Sequence, residues 1–179
     1  HNKEDVDGML HLLPLFSIRA LWIGNCQEFI TCNHTPENNL ILSVQPKYPF
    51  PVRFEKELPH AVLRVTPDQL LLEIHSEAGC KKFFYPNYKD YYYLPMEDEA
   101  IHKSVGAYVD KDHREKATAD NCYKKVSGCF YPQYEDLFTP AFRDERKEKN
   151  SWFLLPGDFD EDQEQLLKYL NHLLSHVLQ

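Results

Sequence analysis

Several features that would narrow the class of this chain at once are missing. No apolar run approaches the ~20 residues that a membrane-spanning helix requires, and no secretory leader pattern is present. Cysteine is sparse and odd in number: Cys26, Cys32, Cys80, Cys122 and Cys129, with no C-x-x-C pair. That argues against a disulfide framework and against a standard zinc site. Positive charge is in deficit, 20 Lys and Arg against 28 Asp and Glu, for a net charge of −8. A surface built wholly for nucleic acid carries a basic face, because phosphate contacts dominate its affinity. Any such contact here is therefore local. Internal repeats and low-complexity segments are absent as well. The triplet Asn33-His34-Thr35 matches a glycosylation acceptor, which matters only in a secreted chain. The expectation is a cytoplasmic protein that does not meet a membrane.

What is present is ordinary globular material. Of the 179 residues, 42% are hydrophobic and 27% charged, enough for one good core. From Asn2 to about Leu13, Val6, Met9, Leu10 and Leu13 recur at helical spacing, and Pro14 closes the stripe. Short strand-like runs follow: Phe16 to Trp22, Glu28 to Cys32, Asn39 to Val44, Val52 to Glu55, Ala61 to Val65, Leu70 to His75 and Lys81 to Tyr85. Turn residues such as Pro36-Glu37-Asn38-Asn39 and Thr66-Pro67-Asp68 separate them. Pro95 and the acidic Glu97, Asp98 and Glu99 predict a helix start, with an apolar face running through Ala100, Ile101, Val105, Tyr108 and Val109. Cys122 to Val126 and Gly128 to Tyr131 read as a hairpin, and Trp152 to Leu155 as a short strand. A final helix from about Phe159 to Leu178 carries a wide leucine stripe behind Asp160, Glu161 and Asp162. The predicted class is α+β: an N-terminal helix, then a mainly antiparallel sheet with two longer helices.

Chemistry is concentrated at the start. His1 and Asp5 lie at i and i+4, on one face of the predicted helix. In a two-metal nuclease, carboxylates hold the cations that orient the attacking water, and a neighbouring His or Tyr positions that water. Such pairs are also common on solvent-facing helices. The string His1-Asn2-x-x-Asp5-x-x-Gly8-Met9, followed by Leu10 to Leu13 and Pro14, resembles the final motif of the YprB-type ribonuclease H-like exonucleases, within the DnaQ-like 3′–5′ exonuclease superfamily. One branch of that superfamily places a Tyr four residues before its last metal-binding Asp, and here His1 takes that place. The resemblance implies that Asp5 binds metal (Mg²⁺ or Mn²⁺) and that His1 is the catalytic partner on the water side. It also implies a substrate that is DNA or RNA. The family's Asp-x-Glu strand and intervening Asp have no counterpart in order here; Glu73, in Leu72-Glu73-Ile74-His75, follows the final motif instead of preceding it. The expectation is a C-terminal piece of such an enzyme, inactive alone. Residues 1–14 would be the last nuclease helix, and residues 15–179 an α+β extension with no cofactor of its own. Asn87 to Pro95, Ile101 to Val105 and Asn121-Cys122-Tyr123 are similar to the extension in bacterial relatives.

Two readings compete for that extension. Tyr85, Tyr88, Tyr91, Tyr92 and Tyr93, with Lys81, Lys82 and Lys89, form either a stacking platform for single-stranded nucleic acid or ordinary packing with hydroxyls in water. Tyr88, Lys89, Tyr91, Lys103 and Arg114 are the candidate contacts. His102 and His113, eleven residues apart, would share a face if both lay on one helix, yet with Cys122 they lack zinc-site spacing. The alternatives to an exonuclease fragment are thus a non-catalytic nucleic-acid- or partner-binding module, or a structural docking domain.

Overall fold

A computed structural model describes residues 2–178. The chain is mixed α+β, with antiparallel sheets and few helices. It opens with helix α1 (Asn2–Leu10) and helix α2 (Pro14–Trp22), joined by a tight turn in which Leu12 N–H donates to Met9 O at 3.0 Å and Leu13 N–H to Leu10 O at 3.2 Å. Pro14 therefore opens a helix as much as it closes one. In the first turn its missing N–H costs nothing and its φ is already helical. This corrects the strand expected over Phe16 to Trp22: Ser17 and Leu21, one helical turn apart, both face inward. Ser17 Oγ donates to Tyr48 O at 2.8 Å.

The main core rests on a five-stranded sheet: β1 (Ile30–His34), β2 (Leu40–Val44), β3 (Phe54–Leu58), β4 (Ala61–Thr66) and β5 (Gln69–Ile74), in the order β1-β2-β5-β4-β3. Every neighbouring pair is antiparallel, so paired residues share a face and form rows across the sheet. One row runs Cys32, Leu42, Leu72, Leu63; the next runs His34, Leu40, Ile74, Ala61. Leu40, Leu42, Leu63, Leu72 and Ile74 are fully buried. Each such aliphatic side chain contributes about 1.5–3 kcal/mol of burial. The opposite face is mixed: Ile41, Val62 and Leu71 lie half-buried beside Arg64, which reaches Glu55 on one side (3.1 Å) and Glu73 on the other (3.3 Å).

The C-terminal helix α4 (Gln163–Val177) buries Leu166, Tyr169, Leu170, Leu173 and Leu174 in that core. Its N-cap is Asp162, whose carboxylate accepts from Glu164 N–H and Gln165 N–H. The residues from Phe159, expected as helix, instead form turns leading to this cap. Asn171 clamps the loop after α2: its Oδ1 accepts from Cys26 N–H at 2.7 Å and its Nδ2 donates to Cys26 O at 3.0 Å. No helix among the described residues is long and apolar enough to cross a membrane.

Two smaller sheets complete the fold. β6 (Glu77–Phe84), β10 (Tyr123–Gln133) and β11 (Ser151–Leu154) form one, in the order β11-β10-β6. The hairpin expected from Cys122 to Val126 and Gly128 to Tyr131 is instead one continuous strand. Gly128 sits opposite Gly79, and a Cβ on it would lie 2.7 Å from Leu154 Cδ2. That glycine serves close packing, not a turn. On β6 itself, the buried Lys81 is paired with Glu77 (3.1 Å) and Asp144 (2.9 Å), with its ammonium 4.3 Å from the centroid of the Trp152 ring.

The other small sheet, β8-β7-β9, comprises β7 (Tyr91–Leu94), β8 (Glu99–His102) and β9 (Glu115–Lys116). It replaces the helix expected from Pro95 to Lys116. Asp98 takes φ 55° in the turn, and Tyr91 to Leu94 pair with Glu99 to His102. Only a four-residue helix, α3 (Lys103–Gly106), remains there. Among the described residues there is thus one longer helix, α4, beside two of nine residues, where two longer helices were expected.

Candidate functional site

β1 is an edge strand, and its alternation places Ile30, Cys32 and His34 on the core side of the sheet. Ile30 is buried, and its peptide is held by the Gln163 side chain: Ile30 N–H donates to Oε1 at 3.0 Å and Nε2 donates to Ile30 O at 2.8 Å. The amide of Gln163 thereby covers one span of the open strand edge. Two and four residues further on, the core thins. Where an aliphatic pair would extend the leucine rows, the sequence supplies a thiol and an imidazole.

The turn ahead of α4 meets them. Asp162 is used as the cap, whereas Asp160 points at β1. Cys32 Sγ lies 3.3 Å from Asp160 Oδ1, and His34 Nε2 lies 3.1 Å from Oδ1 and 2.9 Å from Oδ2. The three donors all fall within 4.8 Å of one another, and no other group of three metal-ligating side chains so close is present among the described residues. The Cys32 thiol is pushed up to about 12, first by burial, then by its hydrogen bond to Asp160 and the Asp160 charge. Cys32 is half-buried; His34 and Asp160 are exposed.

The residues singled out from sequence lie elsewhere. Asp5 is exposed on α1; His1 lies outside the described residues, so the geometry of the His1–Asp5 pair is not among them. Asp5 does not belong to the group of clustered ligands. Around it, Val6, Met9 and Leu10 stand 55%, 67% and 54% exposed, and Phe16 and Trp22 on α2 are each 62% exposed. Of the stripe predicted for this helix, Val6, Met9 and Leu10 lie exposed on α1, which ends at Leu10, while Leu13 falls in the turn beyond it and is half-buried.

The aromatic and basic candidates do gather, around β7 and β8. Tyr91 stacks on Tyr85 with ring centroids 4.4 Å apart, and the His102 ring meets Tyr91 edge-on at 5.4 Å. The Arg114 guanidinium lies 4.5 Å from the Tyr92 centroid and the Lys103 ammonium 5.6 Å from it. Arg114 also donates to Gly106 O, and Lys103 to Lys89 O. Tyr88 begins a short 3-10 turn, half-exposed, with Lys89 beside it in solvent. Both Tyr91 and Tyr92 thus spend ring surface on partners within the chain. His102 and His113 share no helix: His102 caps α3, accepting from Ser104 N–H at 3.2 Å, and His113 ends a 3-10 turn. With the buried Cys122 they form no ligand group.

The Cys32-His34-Asp160 cluster was not read from sequence. Its local half had a signal, since Cys-x-His on a strand puts both side chains on one face. Asp160, 126 residues beyond His34, had none. No protein-family model, curated protein or solved structure matches the chain.

Proposed function

We propose that this chain is the C-terminal region of a metal-dependent, ribonuclease H-like 3′–5′ exonuclease, in which α1 is the last helix of the nuclease fold and the rest is an α+β extension. One observation carries the reading. α1 bears the motif residue Asp5 and, around it, an apolar stripe (Val6, Met9, Leu10) that no described residue buries. Contiguous exposed apolar surface of this kind marks an interaction face, and the occupant proposed is the body of the nuclease domain. Phe16 and Trp22 on α2 extend the same character beyond α1.

Asp5, an exposed carboxylate on a helix, suits a hard cation that prefers oxygen, such as Mg²⁺ or Mn²⁺. It does not make a two-metal site by itself. Such a site requires several carboxylates, and no cluster among the described residues includes Asp5. No catalytic step is therefore assigned to this chain alone. In the proposal, Asp5 contributes one ligand to carboxylates carried elsewhere in the polypeptide, and His1 flanks the attacking water. The tyrosine–arginine patch is the weaker basis for a function, because its rings already have internal partners.

The test is degradation of a 3′-labelled oligonucleotide with Mg²⁺ or Mn²⁺, by the 179-residue chain and by the longer polypeptide that the proposal requires. The longer protein degrades it, and Asp5→Asn lowers its rate at least about a hundredfold, since a metal ligand supports several kcal/mol of transition-state stabilisation. The 179-residue chain is inactive. Degradation by that chain, lost on Asp5→Asn, overturns the assignment of the other ligands to another segment. An unchanged rate for Asp5→Asn in the longer protein overturns the assignment of Asp5.

A further inference from the structure

We infer that Cys32, His34 and Asp160 bind a borderline-soft divalent transition metal, Zn²⁺ in the first instance, that ties the edge strand β1 to the turn capping α4. The donor set is one thiolate, one imidazole and one carboxylate. It matches the ligands Zn²⁺ takes from proteins and differs from the all-oxygen shell of Mg²⁺ or Mn²⁺. The inference is independent of the exonuclease proposal, which concerns α1 and a hard cation.

Geometry supports it at three points. First, β1 alternation and the β1–β2 register hold Cys32 and His34 on one face, opposite the buried Leu42 and Leu40, so the backbone positions both donors in advance. Second, Asp160 is free for the role. The neighbouring Asp162 performs the helix capping, and Gln163 fixes the turn to β1 through its two hydrogen bonds with Ile30. Third, the three ligand atoms lie within 4.8 Å of one another, so that small side-chain movements bring them to metal-binding spacing. Tetrahedral Zn²⁺, with Zn–S of ~2.3 Å and Zn–N and Zn–O of ~2.0–2.2 Å, sets ligand atoms roughly 3.3–3.6 Å apart. The contacts with Asp160 are 3.3 Å from sulfur and 2.9 Å from nitrogen. Admitting the ion requires the nitrogen–oxygen pair to open by a few tenths of an ångström, within the freedom of two exposed side chains.

On binding, the Cys32 S–H proton leaves to solvent, and an S–metal bond replaces the thiol's hydrogen bond to Asp160. His34 Nε2 binds through its lone pair, with the ring proton on Nδ1. Three protein ligands leave the fourth position to water, and the site opens to solvent beside Thr31 and Glu161, which line the same hollow. Of the other cysteines, Cys26 and Cys122 are buried, Cys129 is half-buried and Cys80 is exposed, and none of them belongs to such a cluster among the described residues.

The experiment uses the 179-residue chain, reduced and stripped with chelator. Zn²⁺ is titrated in competition with a chromophoric chelator, and Co²⁺ is titrated with absorption recorded in the near ultraviolet and visible. One Zn²⁺ binds per chain, and Co²⁺ gives a thiolate-to-metal charge-transfer band together with tetrahedral d–d bands. Cys32→Ser removes the charge-transfer band. His34→Gln and Asp160→Asn each weaken Zn²⁺ at least about a hundredfold, at or beyond the 10–100-fold typical of losing an outer-shell partner. Cys80→Ser leaves both readouts unchanged. Absence of the thiolate band in the unaltered chain overturns the inference, and so does its survival in Cys32→Ser or its loss in Cys80→Ser. Should a variant misfold by circular dichroism, the unaltered chain still decides. Protection of Cys32 from alkylation by stoichiometric Zn²⁺, with Cys80 still reactive, supports the site, and equal reactivity with and without Zn²⁺ refutes it.

Discussion

Replacing Gly24 with alanine tests the seam between α2 and α4. Gly24 has φ +61°, a conformation in which an L side chain costs about 1–2 kcal/mol. The space is closed too: a Cβ there would lie 2.6 Å from the Asn171 carbonyl oxygen and 3.1 Å from Ser175 Cβ and Ser175 N. The nearest obstacle is the backbone of α4, which cannot swing aside as a side chain would. Relief requires the loop to lift off the helix, away from the Asn171 clamp on Cys26. Overpacking of this kind costs typically 1–3 kcal/mol, so the total loss is about 2–5 kcal/mol. For a chain of this size each kcal/mol lowers Tm by about 2–4 °C. The assay is urea unfolding followed by circular dichroism and tryptophan fluorescence. Gly8→Ala is the matched control: nothing lies within 4 Å of its added Cβ, and it sits within α1. There alanine raises helix content and is favourable by roughly 0.5–1 kcal/mol. A Gly24→Ala loss below about 1 kcal/mol, or the same sign of effect at both glycines, would refute the reasoning.

Further outcomes follow from the same contacts. His172 accepts from Tyr134 N–H at 3.1 Å through Nε2, and burial, then the nearby His176, lower its pKa to about 4. Between pH 6.5 and about 4 the unfolded chain holds the extra proton, so stability is fully present above pH 6.5 and declines as pH falls through this window. The decline attributable to His172, discounted for solvent screening of a half-buried ring, is roughly 2–3 kcal/mol, and His172→Gln removes that share of the pH dependence in urea titrations; an unchanged profile contradicts it. On α1, the double change Val6→Ser and Met9→Ser alters stability by less than about 0.5 kcal/mol, as for exposed positions generally. It raises solubility and reduces self-association measured by light scattering, and a large stability loss would mean that the stripe is buried within this chain.

The strands of the main sheet and the leucine stripe of α4 could be read because burial on one face imposes a period that sequence displays directly. Other segments misled where the deciding partner was distant. Phe16 to Trp22 is apolar enough for a strand, and it becomes helix because Pro14 starts one and α4 receives Leu21. Glu97 to Glu99 resembles a helix start, but pairing with Tyr91 to Leu94 draws the segment into a sheet. Gly128 resembles a turn, and its absent side chain instead makes room for Leu154.

The sequence by itself determined the α+β class, the approximate places of β2, β4 and β5, the α4 stripe and the His1-to-Asp5 spacing, all carried by residues a few positions apart. Only the tertiary structure decided that α1's stripe lies uncovered, that Tyr91 and Tyr92 turn to internal partners, and that Asp160 reaches Cys32 and His34. The reason is physical. Periodicity reports which way a side chain points from its own backbone, while a cluster depends on which distant segment packing sets opposite it.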